Sequence, residues 1–347
     1  MMQRAFYGAL KFYCWLALHF YFRKWQVHKA EPIPAGPVIF VANHQNAFLD
    51  AVLVICSTSR NPWALARANV FKKKWASRAL TFIQMLPVYR FRDGFDTLRK
   101  NEAIIESCAD LLAKQKSILI FGEGNHNDRY TLLPLQKGFA RIAQAATVHN
   151  VALKIVPVAF YYEAHRTFRS RVLVNFGKSI EVPATYFAEN APAKTEALMA
   201  EVRAALLPLT LIIPEGDYST RYQSLHGKFF HSDLVQQLAS DQRVVNQPHL
   251  NPGIRKNSVG ILQQVLRVYY TVNHVVPLFI IHKIINQPRL DPQFIASLKF
   301  AVGMVLTPLA YLLQSFLVGW LSDNRWFALY YLISLPVSVI FLHPKKG

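Results

Sequence analysis

The strongest constraint on the fold is an alternation of short apolar runs with amphipathic stretches between residues 32 and 182. This alternation is typical of βαβ units, in which strands and helices follow one another along the chain. The pattern predicts strands at 37–42, 63–66, 86–90, 117–121, 152–161 and 171–176, and helices at 47–55, 73–83, 95–114 and 138–147. We therefore expect an α/β domain over residues 30–185.

The first 29 residues indicate contact with a membrane. Lys11 and His19 interrupt the apolar run, and no small-residue cleavage site precedes Arg23, which argues against a secretory signal. Aromatic residues recur through this segment, as is common at the headgroup level of a bilayer. Residues 1–29 are therefore predicted to contain an embedded or interfacial helix, and a single membrane span stays open as an alternative.

The C-terminal part, residues 261–347, is predicted to be a membrane region. Residues 300–321 are largely apolar and long enough to cross a hydrocarbon core of roughly 30 Å. A second run at 326–342 would complete a transmembrane helical hairpin, whose ends carry Lys299, Lys345 and Lys346 and therefore face the cytosol by the positive-inside rule. Residues 261–285 mix apolar and polar residues, which indicates an interfacial or broken helix. Two buried core helices of a soluble fold are the alternative.

The composition agrees with a membrane-attached enzyme. Hydrophobic residues make up 52% of the chain and the mean hydropathy is +0.16, values too low for a transporter built wholly from spans. The net charge of +19 attracts polyanions, but the basic residues are scattered, so we expect membrane lipid and no nucleic acid as partner. The three cysteines form no CxxC pattern, which favours a reducing compartment.

Between the catalytic and C-terminal parts, residues 186–260 are predicted to form a helical and polar extension. An amphipathic helix at 193–207 should end at Pro208, and residues 214–259 show few strong signals.

The chemistry is predicted from His44 and Asp50, which follow the strand predicted at 37–42. A neutral histidine accepts a proton from an alcohol when an aspartate bonded to its other ring nitrogen fixes the tautomer. Positions six apart point about 120° away from each other on a regular helix, so the two side chains meet only through a turn. We place His44 in a strand-to-helix loop and Asp50 in the first helical turn, with Asn46 as turn or cap residue.

Further blocks follow in order along the chain. Arg90 ends an apolar run, where a guanidinium is suited to a phosphate. Glu123 and Gly124 lie in Phe121-Gly122-Glu123-Gly124 after another run, Lys137 follows, and Val156-Pro157 lies in a third strand. Together with Asn43, His44 and Asp50, this order resembles the glycerolipid acyltransferase family over roughly residues 30–185.

The resemblance implies a mixed sheet flanked by helices and a membrane-bound O-acyltransferase of phospholipid biosynthesis. Members of the family move a fatty acyl group from acyl-CoA or acyl carrier protein to glycerol 3-phosphate or lysophosphatidate. His44 and Asp50 would be catalytic, and the substrate-binding residues would be Asn43, Arg67, Arg90, Glu123, Gly124 and Lys137. The implied mechanism requires no metal and no cofactor.

Two departures from the family pattern stand out. Five residues rather than four separate His44 from Asp50, which requires a bulge in the loop. After Gly124 the family usually has Ser or Thr with a nearby Arg, whereas this chain has Asn125-His126-Asn127-Asp128-Arg129. His126 and Asp128 resemble a fragment of a metal site, but a polar loop is the favoured interpretation. Another lysolipid acceptor, or a non-catalytic lipid-binding protein of the same fold, remains the alternative function.

Overall fold

The computed structural model describes residues 2–89, 96–127, 129–225, 231–247, 261–288 and 290–341. Its centre is an eight-stranded mixed sheet. The strands are β1 (Lys24–Lys29), β2 (Val38–Ala42), β3 (Trp63–Arg67), β4 (Met85–Val88), β5 (Ser117–Phe121), β6 (Leu153–Tyr162), β7 (Arg171–Phe176) and β8 (Ile180–Val182). Their order is β1-β7-β6-β2-β5-β3-β4, and β8 pairs with β6. The predicted mixed α/β sheet is confirmed.

Helices cover both faces of this sheet. In chain order the described helices are α1 (Met2–Tyr21), α2 (Phe48–Ser57), α3 (Lys74–Phe82), α4 (Asp96–Ala113), α5 (Gly138–Val148), α6 (Ala191–Leu206), α7 (Tyr218–Ser224), α8 (Leu234–Asn246), α9 (Ile261–Asn273), α10 (Val275–Ile285), α11 (Ile295–Ser322) and α12 (Arg325–Ile340). The C-terminal helices α9, α10 and α12 pack on other helices. The five strands β2 to β6 are all parallel to one another. Their carboxyl ends therefore meet at one edge of the sheet.

The direction of each crossover explains which face a helix covers. The connections through α2 and α3 move along the sheet one way, and those through α4 and α5 move back. Right-handed crossovers therefore place the two pairs on opposite faces. The two main apolar clusters reflect this arrangement: one contains Leu49 and Leu53 of α2, and the other contains Cys108 of α4 and Phe139 of α5.

One segment corrects the sequence analysis. Lys24–Lys29 form strand β1, which pairs in parallel with β7, and are not part of a membrane helix over residues 1–29. The strand is polar with a lysine at each end, which is typical of a sheet edge and explains why no apolar run marked it. Within the segment predicted as a helical and polar extension, α7 and α8 are helices. Helix α8 is held to the sheet by the hydrogen bond that Tyr161 donates to Asp241 (2.6 Å).

The C-terminal helices expose much apolar surface. Helix α11 is long and apolar enough to cross a membrane, and Leu313, Phe316 and Trp320 on it are 70–74% exposed. This exposure does not fit the alternative of buried core helices. Helix α12 is shorter and packs against α11 across a tight turn at Asp323 and Asn324. Helices α9 and α10 are bent by 75° at His274, so the segment 261–285 is a broken helix.

Arg169 fastens these outer helices to the sheet domain. Its guanidinium donates to the carbonyls of His19, Phe20 and Phe22 at the end of α1, and to that of Ile340 at the end of α12. Helix carbonyls at a C-terminus have no partner within the helix, so a buried cation there satisfies several at once.

Replacing Arg169 by alanine is therefore expected to lower stability by about 2–4 kcal/mol, because four buried or partly buried carbonyls lose a charged donor. The melting temperature of the detergent-solubilised protein measures this effect. Arg166→Ala is the control, since Arg166 is an exposed arginine on the same loop. Equal melting temperatures for the two variants would contradict the role given to Arg169.

Candidate active site

His44 and Asp50 form a hydrogen-bonded pair where the chain leaves the carboxyl end of β2. His44 Nδ1 lies 2.9 Å from Asp50 Oδ2, and Asp50 is fully buried. The imidazole also stacks on the ring of Phe121 at the end of β5, with the centroids 3.8 Å apart. Because the carboxylate accepts the proton of Nδ1, Nε2 is left as the basic nitrogen.

A turn brings these two residues together, as their spacing requires. Ala47 has a φ of 47°, a conformation that L-residues rarely adopt, and α2 begins at the next residue. Asp50 Oδ2 accepts the backbone N–H groups of Gln45 (2.7 Å) and Asn46 (2.8 Å). The aspartate, and not the side chain of Asn46, therefore caps the loop.

The second oxygen of Asp50 is held from the far side. Tyr162 at the end of β6 donates its hydroxyl to Asp50 Oδ1 at 2.5 Å. Four donors thus converge on one buried carboxylate and compensate for the loss of its hydration. The result is a carboxylate that has little freedom to turn away from the imidazole.

Glu123 supports the backbone of the same loop. Its Oε1 accepts the N–H of His44 at 2.8 Å and its Oε2 accepts the N–H of Leu133 at 2.9 Å, and the residue is 4% exposed. Burial raises the pKa of Glu123 to about 7, although the two backbone donors oppose this shift. Both oxygens are engaged by the protein, which favours a positioning role for Glu123 over direct contact with substrate.

The raised pKa of Glu123 predicts a pH-dependent stability. Its contribution is fully present below pH 4.5, the ordinary pKa, and is lost as the pH rises through about 7. The melting temperature of the wild type should therefore fall across this interval relative to Glu123→Gln, which cannot ionise, by the equivalent of up to about 3 kcal/mol. Glu196→Gln, at an exposed carboxylate, is the control and should follow the wild type. A Glu123→Gln profile parallel to the wild type would contradict the assignment.

Asn43 and Gly124 shape the backbone around the pair. Asn43 is fully buried, and its Oδ1 accepts the N–H of Phe160 at 3.0 Å, which ties the end of β2 to β6. Gly124 has a φ of +64°, and a Cβ there would lie 2.9 Å from Cγ of Gln136. Only glycine fits this turn without strain. The substrate-binding roles predicted for both residues stay predictions.

The basic residues predicted to bind substrate are not all in one place. Arg67 ends β3 at the same edge of the sheet, and its guanidinium lies 3.0 Å from Asn125 Oδ1 on the loop after Glu123. Lys137 instead forms an exposed ion pair with Glu196 of α6 at 2.6 Å, so the structure does not group it with His44. Arg90 lies outside the described residues.

His126 is a neighbour of the pair that the sequence analysis assigned to a polar loop. It is 5% exposed, and its ring stands edge-on to that of His44 with centroids 5.4 Å apart. Burial, with smaller effects of His44 and Arg67, lowers the pKa of His126 to about 4, so the ring is neutral near pH 7. In the described part of the chain, no three His, Cys, Asp or Glu residues are grouped as a metal site would require.

The start of α11 also contacts the catalytic loop. Ser297 Oγ donates to the carbonyl of Asn46 (2.5 Å) and accepts the N–H of Leu49 (3.0 Å). Phe294, just before the helix, packs its ring against that of His126. No local motif marks either residue, because each contact joins segments far apart in the sequence.

Comparison with known proteins finds a family that is similar to the segment holding this site. The acyltransferase family model matches residues 24–161, which include His44, Asp50 and Glu123. This segment of the chain is therefore similar to the acyltransferase family. The matched segment runs from β1 to β6 and supplies most of the site. The resemblance seen in the sequence is thereby confirmed.

Curated relatives are similar to this chain over short stretches. Glycerol-3-phosphate O-acyltransferase 2 of Saccharomyces cerevisiae is 30% identical over 122 residues, 34% of this chain and 16% of the relative. Glycerol-3-phosphate O-acyltransferase 1 of the same yeast is 43% identical over 74 residues, 21% and 10% of the two chains. The matched part thus spans about a sixth or less of these relatives.

A solved structure is also similar. The 1-acyl-sn-glycerophosphate (LPA) acyltransferase from Thermotoga maritima aligns with a TM-score of 0.40 at 18% identity, covering 58% of this chain and 80% of that one.

Proposed function

We propose that this protein is a membrane-bound O-acyltransferase that moves a fatty acyl group from a thioester donor to a hydroxyl of a glycerol phosphate. The observation that carries the proposal is the partly buried His44–Asp50 hydrogen bond at the carboxyl edge of the sheet, within the segment that matches the acyltransferase family. Acyl-CoA or acyl carrier protein is the donor, and glycerol 3-phosphate or lysophosphatidate is the acceptor. The product is an intermediate of phospholipid biosynthesis.

The reaction follows from the tautomer of His44. Nε2 takes the proton of the acceptor hydroxyl as its oxygen attacks the thioester carbonyl, and Asp50 stabilises the imidazolium that forms. Collapse of the tetrahedral intermediate breaks the C–S bond, and the thiol leaves with the proton returned by His44. Backbone N–H groups beside Gly124 are suited to the developing oxyanion. The reaction written in this way uses no metal and no cofactor.

The acceptor phosphate is assigned to the basic side of the site. Arg67 lies beside the loop that follows Glu123. Arg90 is proposed to bind the phosphate together with Arg67, because a guanidinium binds phosphate through paired hydrogen bonds. Lys137 is a more distant contributor, since Glu196 already neutralises it.

Attachment to the membrane is proposed through α1 and the α11–α12 hairpin, with the acyltransferase domain on the cytoplasmic side. The apolar exposure of α11 supports this arrangement. In intact cells, a membrane-impermeant thiol reagent should label a cysteine placed at Asp323 from outside and should not label one placed at Lys116. The reverse pattern would overturn the orientation.

Thiol release by the purified protein tests the function. Acyl-CoA and acyl carrier protein are each offered with glycerol 3-phosphate, lysophosphatidate, another lysolipid, or no acceptor. Release that depends on a phosphorylated acceptor supports the proposal, and release only with another lysolipid would assign a different acceptor. Lipid binding without release in any combination would identify a non-catalytic protein and overturn the proposal.

A further inference from the structure

The connection between β3 and β4 carries positive charge without any negative charge. Residues 51–92 contain eight Lys and Arg residues and no Asp or Glu, and residues 1–30 likewise contain no acidic residue. Within the connection, Lys72, Lys73 and Lys74 are consecutive and Arg78 lies one helical turn further on. Such a field attracts an anionic surface.

These cations are available to a partner. Lys72, Lys73, Lys74 and Arg78 are all exposed, and no carboxylate pairs with them in the described part of the chain. Helix α3 has no buried residue. A helix that gains so little from packing on its own domain has a large face left for another surface.

Aromatic and aliphatic side chains lie among the cations. Trp75 is 71% exposed and Val70 is 48% exposed. Tryptophan beside lysine is the combination enriched at the boundary between headgroups and acyl chains. An acidic protein or a nucleic acid would satisfy the charge but would leave the exposed indole without an apolar environment.

The neighbouring surface points to the same partner. Phe6 of α1 packs against Phe82 of α3, and Gln3 donates to the Phe82 carbonyl, so the two helices are adjacent. Helix α1 exposes Met2 (80%) and Phe12 (64%). The exposed apolar residues of α1 therefore lie on the same surface as the cations of residues 72–78.

We propose that residues 70–78 are a second membrane-contact site that recognises the anionic headgroups of the bilayer. The segment follows Arg67 directly, so its docking holds the carboxyl edge of the sheet, where His44 and Arg67 lie, against the lipid surface. The cations bind the lipid phosphates and Trp75 inserts at the level of the headgroups. This contact does not depend on the acyl-transfer reaction.

The test follows Trp75 in the full-length protein reconstituted into vesicles. The vesicles contain brominated phosphatidylcholine, alone or mixed with phosphatidylglycerol, and the Trp75 signal is the difference in fluorescence quenching between the wild type and Trp75→Phe. We expect this difference to increase with phosphatidylglycerol, to decrease with added salt, and to be mostly lost in the triple variant with Lys72, Lys73 and Lys74 changed to Gln.

A matched triple variant controls for the overall charge. Lys114, Lys116 and Lys178 are also exposed but lie at the opposite edge of the sheet, beside the start of β5 and the end of β7. Changing these three to Gln should leave the quenching as in the wild type. Melting temperatures in detergent verify that both triple variants are folded.

Two results would overturn the proposal. One is quenching of Trp75 that is the same with and without phosphatidylglycerol. The other is equal quenching in both triple variants. A Trp75 signal that responds to soluble acyl carrier protein and not to phosphatidylglycerol would instead assign the segment to an acidic protein. Because no outcome involves thiol release, the result is independent of whether the acyl-transfer proposal holds.

Discussion

Replacing His44 by alanine is expected to lower acyl-dependent thiol release by about 10²–10⁴-fold, the usual contribution of a positioned general base. The loss follows from the geometry. His44 Nδ1 is engaged by Asp50, and Nε2 is the nitrogen left to take the hydroxyl proton. No other described side chain has this arrangement at the carboxyl edge of the sheet.

The variant should remain folded, which separates catalysis from stability. The imidazole is partly exposed at the rim of the site and its side chain is not part of either main apolar cluster. His149→Ala is a matched control, because His149 also pairs with a carboxylate, Glu106, but does so on the exposed surface of α4 and α5. It should keep wild-type turnover. Unchanged turnover in His44→Ala would reject the base assignment.

Asp50→Asn is expected to reduce turnover by about 10³–10⁴-fold, as loss of the orienting carboxylate does in hydrolases with a similar histidine–aspartate pair. An amide keeps the size of the side chain and can still accept from backbone N–H groups. It carries no charge to stabilise the imidazolium, and its NH2 group favours the wrong tautomer of His44. The expected loss is therefore in kcat more than in KM.

A buried aspartate elsewhere provides the control for this variant. Asp241 is buried on α8 and accepts a tyrosine hydroxyl, Tyr161, much as Asp50 accepts that of Tyr162. Asp241→Asn should lower the melting temperature by an amount similar to Asp50→Asn but keep its turnover. Parallel losses of turnover in both variants would mean that Asp50 acts only through stability.

The sequence was sufficient to predict those features of the fold and the site that depend on neighbouring residues. Apolar runs located β2 to β7, because buried strands of a largely parallel sheet are continuous in hydrophobicity. The spacing of His44 and Asp50 next to a strand end was enough to predict a loop that joins them. Strand β1 was missed because an edge strand needs no apolar run; its polar residues are held by backbone pairing with β7.

The rest of the site is made by contacts between distant segments. Tyr162 reaches Asp50 across 112 positions, and Ser297 reaches Asn46 across 251. His126 belongs to a loop whose composition indicates only polarity, and its burial against Phe294 depends on how α11 docks. Such contacts have no periodicity or spacing that a single sequence reveals. Glu123 was identified, but its two backbone partners were not predictable from its motif.

The central claim is that His44 and Asp50 act as one unit, and a double-mutant cycle on thiol release tests it most directly. If Asp50 acts only by orienting and stabilising His44, the variant carrying both His44→Ala and Asp50→Asn should be no slower than His44→Ala alone. Losses that multiply, so that the double variant is slower by the product of the two single effects, would contradict this account.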